Sequence, residues 1–248
     1  MNAIPLSRET PALSVVIPVF NEEDNLAPLL GELEPVLRSL GKPFEVICVD
    51  DKSTDASLAR LRDLRAGRPW LRVIAHRVNS GESAAEATGF RHARGEVVVT
   101  LDADGQNDPA DIPGLLDALG PGVDAVCGVR RTREDDRVKR ISSRLANRFR
   151  NAVTGDRIRD AGCTYRALRR AALGDLPVFN GLHRFLPSLL RWQGYRVVER
   201  EVGHRRRLRG RSKYGVGNRF WRGLRDCLAM RWYRARAVRG DRVEQEYE

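Results

Sequence analysis

Five short runs of apolar, mostly β-branched residues recur through the first half of the chain, each divided from the next by a stretch with helical spacing. No other feature restricts the fold as much. The runs are Leu13–Val19 (LSVVIPV), Phe44–Val49, Leu71–Ala75, Glu96–Leu101 (EVVVTL) and Val123–Cys127. Between the first two, Leu26, Leu29, Leu30, Leu33 and Leu37 repeat as on one face of an amphipathic helix. Residues 56–64 and the Ala-rich stretch 83–93 predict two more helices. Strands without polar alternation are buried on both faces, so the pattern predicts an α/β fold with a mostly parallel sheet flanked by helices. Ligands of such sheets lie at the carboxyl ends of the strands. That rule singles out the loops after Val19, Val49 and Leu101.

The composition changes near Gly128. Residues 1–128 carry 12 Lys and Arg against 20 Asp and Glu, a net −8, whereas residues 129–248 carry 32 against 13, a net +19. A basic half of this strength points to phosphate, on nucleotides, nucleic acid or lipid head groups. It contains a predicted basic helix at 138–153, a strand at Thr164–Ala167, a helix at Phe185–Trp192 and a strand at Tyr195–Val202. A basic loop, His204–Tyr214, and a final helix rich in Trp and Arg follow. Cys48, Cys127, Cys163 and Cys227 are far apart and form no CxxC pair, which argues against a zinc ribbon or disulfide scaffold and for a reducing compartment. No apolar run reaches membrane-spanning length and the N-terminus lacks the apolar core of a secretory leader, so neither is expected.

Three of the loops carry chemistry. Asp102-Ala103-Asp104-Gly105-Gln106 follows a buried strand, and two carboxylates one residue apart in a turn suit Mg²⁺ or Mn²⁺, with Gln106 able to add a carbonyl oxygen. Out of that context the same residues describe solvated acids and an Asx turn. In Val49-Asp50-Asp51-Lys52-Ser53-Thr54-Asp55, Asp51 suits a base N–H or a ribose hydroxyl, while Ser53–Asp55 read as helix caps. Ile17–Asn25 joins the first strand to the first helix, and alone it reads as an acidic helix N-terminus. No GxGxxG follows the first strand, which disfavours a dinucleotide-dependent dehydrogenase.

In order, VIPVFNEEDNL, VDDKSTD, NSGESAA and LDADGQNDP resemble the signature of glycosyltransferase family 2. SSRLANRF, DAGCTYRA, HRFLP and RRRLRGRSKYG resemble its dolichol-phosphate mannosyltransferase and bacterial polyprenyl-phosphate sugar transferase branch. The likeness runs from about Leu13 to Tyr214. It implies a GT-A-like nucleotide-sugar sheet and inverting, metal-dependent transfer of a sugar from a UDP- or GDP-linked donor to a polyprenyl phosphate. Pro18, Phe20, Glu22, Val49, Asp51 and Ala103 fall at its nucleotide positions, and Asp102, Asp104 and Gln106 at its Mg²⁺ or Mn²⁺ positions. Many relatives carry Tyr at the position of Phe20, and some carry Lys or Gln at that of Glu82. Arg130, Lys139, Ser143 and Arg144 fall where the family meets the acceptor phosphate. Arg207 and Lys213, with Asp102 and Asp104, fall at catalytic positions, the two cations on a lid over the donor diphosphate. Asp160, His183 and Arg184 match positions near the sugar or the acceptor.

The resemblance divides the chain into a catalytic domain, 1–214, and a basic aromatic C-terminal helix and tail, 215–248. Aromatics and arginines interleaved over Phe220–Arg236 suit an anionic membrane surface or, equally, a core-packing helix with a solvated face. The expected location is the cytoplasmic face of the membrane, peripherally bound, with a separate membrane protein as a possible partner. Nucleic acid is not an expected partner, because it leaves the two acidic loops without a role. A processive synthase is disfavoured by the missing QxxRW motif. A non-catalytic scaffold and a transferase with a non-lipid acceptor are the alternatives.

Overall fold

The computed structural model describes residues 10–131, 147–174, 176–205 and 217–237, with backbone alone at 217–222 and 224. Chain order is β1 (Leu13–Val19), α1 (Leu26–Ser39), β2 (Phe44–Asp50), α2 (Ser57–Arg65), β3 (Leu71–Ala75), α3 (Glu82–His92), β4 (Val97–Thr100), a 3₁₀ turn (Pro109–Asp111), α4 (Ile112–Ala118) and β5 (Ala125–Arg130). Residues 147–154 are helical and form α5. Then come β6 (Arg166–Arg169), a second 3₁₀ turn (Arg170–Leu173), α6 (Leu182–Trp192), β7 (Val197–Val202) and α7 (Gly217–Arg236). The first part of the predicted basic helix at 138–153 lies outside the described residues.

The seven strands form one sheet in the order β3-β2-β1-β4-β6-β5-β7. All neighbouring pairs are parallel except those made by β6, which runs antiparallel between β4 and β5. The change of composition at Gly128 is therefore no boundary in the fold. It falls inside β5, and β6 and β7 complete the sheet begun by the acidic half.

Successive strand residues point to opposite faces, so one apolar run feeds two cores. Val15, Ile17 and Val19 of β1 pack with α1 and α4 on one side, while Val16 packs with α3 and α6 on the other. Helix α1 buries all five of its periodic leucines, worth on the order of 10 kcal/mol before entropy is counted. Cys227 and Met230 place one side of α7 in the second core, and Asp226 of α7 pairs with Arg184 of α6 at 2.8 Å. The opposite side leaves Leu228 and Trp232 55% and 64% exposed. Among the described residues, no helix is long and apolar enough to cross a membrane. All four cysteines are free and buried.

Candidate active site

The carboxyl ends of β1, β2 and β4 lie side by side, since β1 pairs with both of the others. The loops after β1 and β2 are laced together around Asn21, which has a left-handed φ of 54°. Its Oδ1 accepts the Thr54 amide at 2.7 Å, its Nδ2 donates to Thr54 Oγ1 at 3.1 Å, and its own amide donates to Ser53 Oγ at 3.0 Å. The Glu22 and Glu23 amides donate to Ser57 Oγ and Asp55 Oδ2.

This lacing corrects the capping expected of Ser53–Asp55. Helix α2 begins at Ser57, and Ala56 at its N-cap makes no side-chain capping bond. Asp55 Oδ1 instead accepts the Ser57 amide at 2.9 Å, and Ser53 and Thr54 turn to Asn21. The physical reason is that both loops bring unpaired N–H groups to the same edge. Each loop's side chains satisfy the other's backbone.

Of the expected nucleotide residues, Pro18 and Phe20 are half-buried at this edge, and Glu22 accepts Asn25 Nδ2 at 2.6 Å. Val49 is wholly buried within the second core, so only its backbone faces the loops. The Asp51 carboxylate is buried too. Its Oδ1 takes the Ser80 amide at 2.8 Å and lies 2.8 Å from His76 Nδ1, while Oδ2 takes the Gly81 amide at 2.7 Å. His76 Nε2 lies 3.0 Å from Thr88 Oγ1. Asp51 thus ties the loop at 76–81 to the nucleotide edge. No periodicity in the sequence marks His76 for this part.

The loop after β4 holds the paired aspartates. The Asp102 amide donates to Asn107 Oδ1 at 3.0 Å, and Asp104 Oδ1 accepts the Gln106 amide at 3.0 Å. Ala103 between them is buried, and Gly105 takes a φ of 73°. Thr164 Oγ1 lies 2.7 Å from both Asp102 oxygens and donates to them. Burial, and then the charge of Asp104, push the Asp102 carboxyl up to about 6. Gln106 is engaged on its other side: its Nε2 donates to Arg205 O at 3.3 Å, and Arg205 returns its amide to Gln106 O at 2.8 Å. Arg205 also pairs with Asp108 at 2.7 Å and Glu32 at 2.5 Å. The start of the basic segment is therefore fastened to the aspartate loop.

Beside it, β5 ends in Arg130, whose Nε and Nη2 grip Asp160 at 2.7 and 2.8 Å. Arg130 is near enough for its charge to lower the Asp102 carboxyl. Across the site, His183 Nδ1 lies 2.8 Å from Ser83 Oγ, and His183 Nε2 lies 3.9 Å from Glu82 Oε2. Beneath, Arg166 is wholly buried. Its Nη2 donates to the carbonyls of Cys163 and His183, and its Nη1 faces Glu86 at 3.6 Å. The sequence motifs did not single out Thr164, Arg166 or Glu86. The first two sit within DAGCTYRA, and Glu86 lies one helical turn after Glu82. Lys139, Ser143, Arg144, Arg207 and Lys213 lie outside the described residues. Among the described residues no three His, Cys, Asp or Glu side chains form a metal-binding group.

A mostly parallel sheet with paired aspartates at the carboxyl end of a central strand is the arrangement expected of a sugar-nucleotide transferase, and residues 14–176 match the model for glycosyl transferase family 2. The chain belongs to that family. It is 40% identical over 206 residues to the undecaprenyl-phosphate 4-deoxy-4-formamido-L-arabinose transferase of Edwardsiella ictaluri, covering 82% of this chain and 63% of the relative. The transferase of the same description from Pseudomonas paraeruginosa is also 40% identical over 206 residues, covering 82% and 60%. The chain thus spans a little under two thirds of the length of these curated relatives. Among solved structures, it resembles glucosyl-3-phosphoglycerate synthase from Mycobacterium tuberculosis in complex with Mn²⁺, UDP and phosphoglyceric acid. That likeness has a TM-score of 0.68 at 21% identity, over 93% of this chain and 80% of the other, and it bears on the fold alone. It also resembles the mannosyltransferase PcManGT from Pyrobaculum calidifontis in complex with GDP-Man and Mn²⁺, with a TM-score of 0.60 at 25% identity, over 92% and 65%.

Proposed function

We infer that this chain transfers a sugar from a nucleotide diphosphate sugar to a polyprenyl phosphate, inverting the anomeric carbon. The convergence of Asp102 and Asp104 with Arg130 at one sheet edge carries the reading. It joins a place for the donor diphosphate to a cation for the acceptor phosphate. The names of the curated relatives support a lipid phosphate as acceptor.

Asp102 and Asp104 fit a hard divalent cation. They are oxygen donors one residue apart, and the cost of burying the inner carboxylate falls when a cation is present. A Mg²⁺ or Mn²⁺ ion held there would neutralise charge developing on the leaving diphosphate. Thr164 orients Asp102, and Asp160 takes the Nε and Nη2 of Arg130, which fixes the guanidinium and leaves Nη1 for a phosphate. The acceptor phosphate, with a second pKa of about 6, is largely dianionic at neutral pH. Its oxygen attacks the anomeric carbon as the bond to the diphosphate breaks, so no protein base is required. Asp51 keeps the loop at 76–81 closed beside the nucleoside. Residues 1–214 form the catalytic domain in this reading. The outer side of α7, with Leu228, Trp232, Arg225 and Arg231, rests on the anionic cytoplasmic face of the membrane.

The test is transfer. Protein, Mn²⁺ and a short polyprenyl phosphate are incubated with UDP- and GDP-sugars, and lipid-linked sugar is read by mass spectrometry. Product that vanishes in Asp104→Asn is the expected result. Metal-dependent nucleotide binding without product from any donor would favour the scaffold or another acceptor.

A further inference from the structure

The three donors on the buried Asp51 carboxylate are not equivalent. Those of Ser80 and Gly81 are amides at the end of a loop whose residues 77–80 are exposed. The carboxylate they meet is what fastens that loop, so they follow Asp51 and do not fix it. His76 is anchored on both sides. Its amide donates to Asp50 O at 2.8 Å, which prolongs the pairing of β3 with β2 by one residue. Its ring spans from Asp51 Oδ1, at 2.8 Å, to Thr88 Oγ1, at 3.0 Å. Thr88 is buried on α3, whose Ala85, Ala87 and Phe90 share a core with Val16 of β1. The ring therefore ties Asp51 to the helix and sheet rather than to the loop.

The hydrogen positions follow from the partners. A carboxylate only accepts, so Nδ1 carries the hydrogen that meets Asp51 Oδ1. Thr88 Oγ1 accepts Arg91 Nη2 at 3.0 Å, which leaves its own hydrogen to donate to Nε2. Each carboxylate oxygen has two lone pairs. His76 and Ser80 fill those of Oδ1, whereas Gly81 takes only one of Oδ2. Among the described residues, the acceptor that Asp51 still offers is thus on Oδ2. The Asp51 amide donates to Val19 O at 2.8 Å, so the residue stands where the loops after β1 and β2 meet.

We propose that His76 is a positioning residue for the donor nucleotide: by holding Oδ1 toward α3, it keeps the open side of Oδ2 turned to the base. An acceptor fixed in this way selects a base with a ring N–H on its pairing edge, uracil or guanine. Cytosine and adenine present a ring acceptor there, which faces the carboxylate unpaired. This rests on the donor reading above and adds the residue that gives the site its choice of base.

The experiment measures affinity by calorimetry with Mn²⁺ present, for the full chain, His76→Leu and His76→Asn. The ligands are two pairs, UDP with CDP and GDP with ADP, and melting temperatures establish that each variant folds. In the wild type, the tighter of UDP and GDP should bind about tenfold more tightly than its pair mate, the worth of one charge-assisted hydrogen bond. His76→Leu should bring that ratio close to one, chiefly by weakening the base with the ring N–H. His76→Asn, whose amide nitrogen takes the place of Nδ1, should keep most of it. If His76→Leu fails to fold, Thr88→Val, which releases the far side of the ring, takes its place with the same expected loss. Equal wild-type binding within the pair, a ratio unchanged in the first variant, an equal loss for both pair mates, or a ratio lost as fully in His76→Asn would overturn the assignment. The transferase reading would stand in each case, because UDP or GDP still binds. Failure of both UDP and GDP to bind the wild type would overturn the transferase reading, and this proposal with it.

Discussion

Replacing Glu86 by Gln tests how the site stores charge. Glu86 is 2% exposed on α3, and the cation it faces among the described residues, Arg166, lies 3.6 Å away and is wholly buried. Burial raises its carboxyl from the ordinary value of 4.5 to about 7, against the opposing pull of Arg166. Because the value is raised on folding, the unfolded chain releases this proton first as pH rises. The side chain is neutral in both states below 4.5. It opposes folding increasingly between 4.5 and about 7, and by a constant amount above that. A change of this size is worth ~3 kcal/mol. Glu86→Gln removes the titrating group and also the pair with Arg166, a loss that does not follow the same pH course. The informative quantity is therefore the stability of the variant minus that of the wild type, from urea unfolding at pH 4.5, 5.5, 6.5 and 7.5. That difference should grow in the variant's favour by ~3 kcal/mol across the series. The m-values should stay equal, so that the comparison reports stability alone. A difference flat across pH would refute the reasoning, because it would mean that Glu86 titrates as an exposed glutamate does.

Three further outcomes follow from the geometry. Asp160→Ala removes the carboxylate that orients Arg130, and steady-state kinetics should show KM for the lipid phosphate rising about tenfold with KM for the donor unchanged. Gly89→Ala would place a methyl 2.2 Å from Val16 Cγ1, where α3 crosses β1. Urea unfolding should show a loss of ~1–3 kcal/mol, partly recovered when Val16→Ala is added. Leu228→Ala with Trp232→Ala strips the exposed apolar side of α7, and co-sedimentation with anionic vesicles should fall about tenfold without a change in melting temperature.

The first half of the fold was legible because parallel strands buried on both faces have no polar alternation to obscure them. The runs at Leu13–Val19 and Leu71–Ala75 coincide with β1 and β3. The strand expected at Thr164–Ala167 lies instead at Arg166–Arg169. An arginine at each end hides it, and the buried one is held by Cys163 nearby and by His183 and Glu86 far along the chain. Its antiparallel direction could not be read from apolar runs, which are blind to polarity. The aspartate loop was legible from position alone, at the end of a buried strand. The part played by Asp51 was less so, because it depends on residues brought near by folding. His76, Ser80 and Gly81 close around Asp51.

The reversed strand also sets an order of assembly. Strand β5 pairs only with β6 and β7, and the free edge of β4 is filled only by β6. A nascent chain that has reached Arg131 has therefore made β4 and β5 but has no means of joining them, and it carries three unpaired strand edges, one on β4 and two on β5, out of the ribosome. Thr164 comes against Asp102 only when that gap is closed. The Thr164–Asp102 contact is thus made only after β6 has emerged, and a chain stopped before Thr164 lacks it. Chaperone capture during synthesis should concentrate in the interval between β5 and β6.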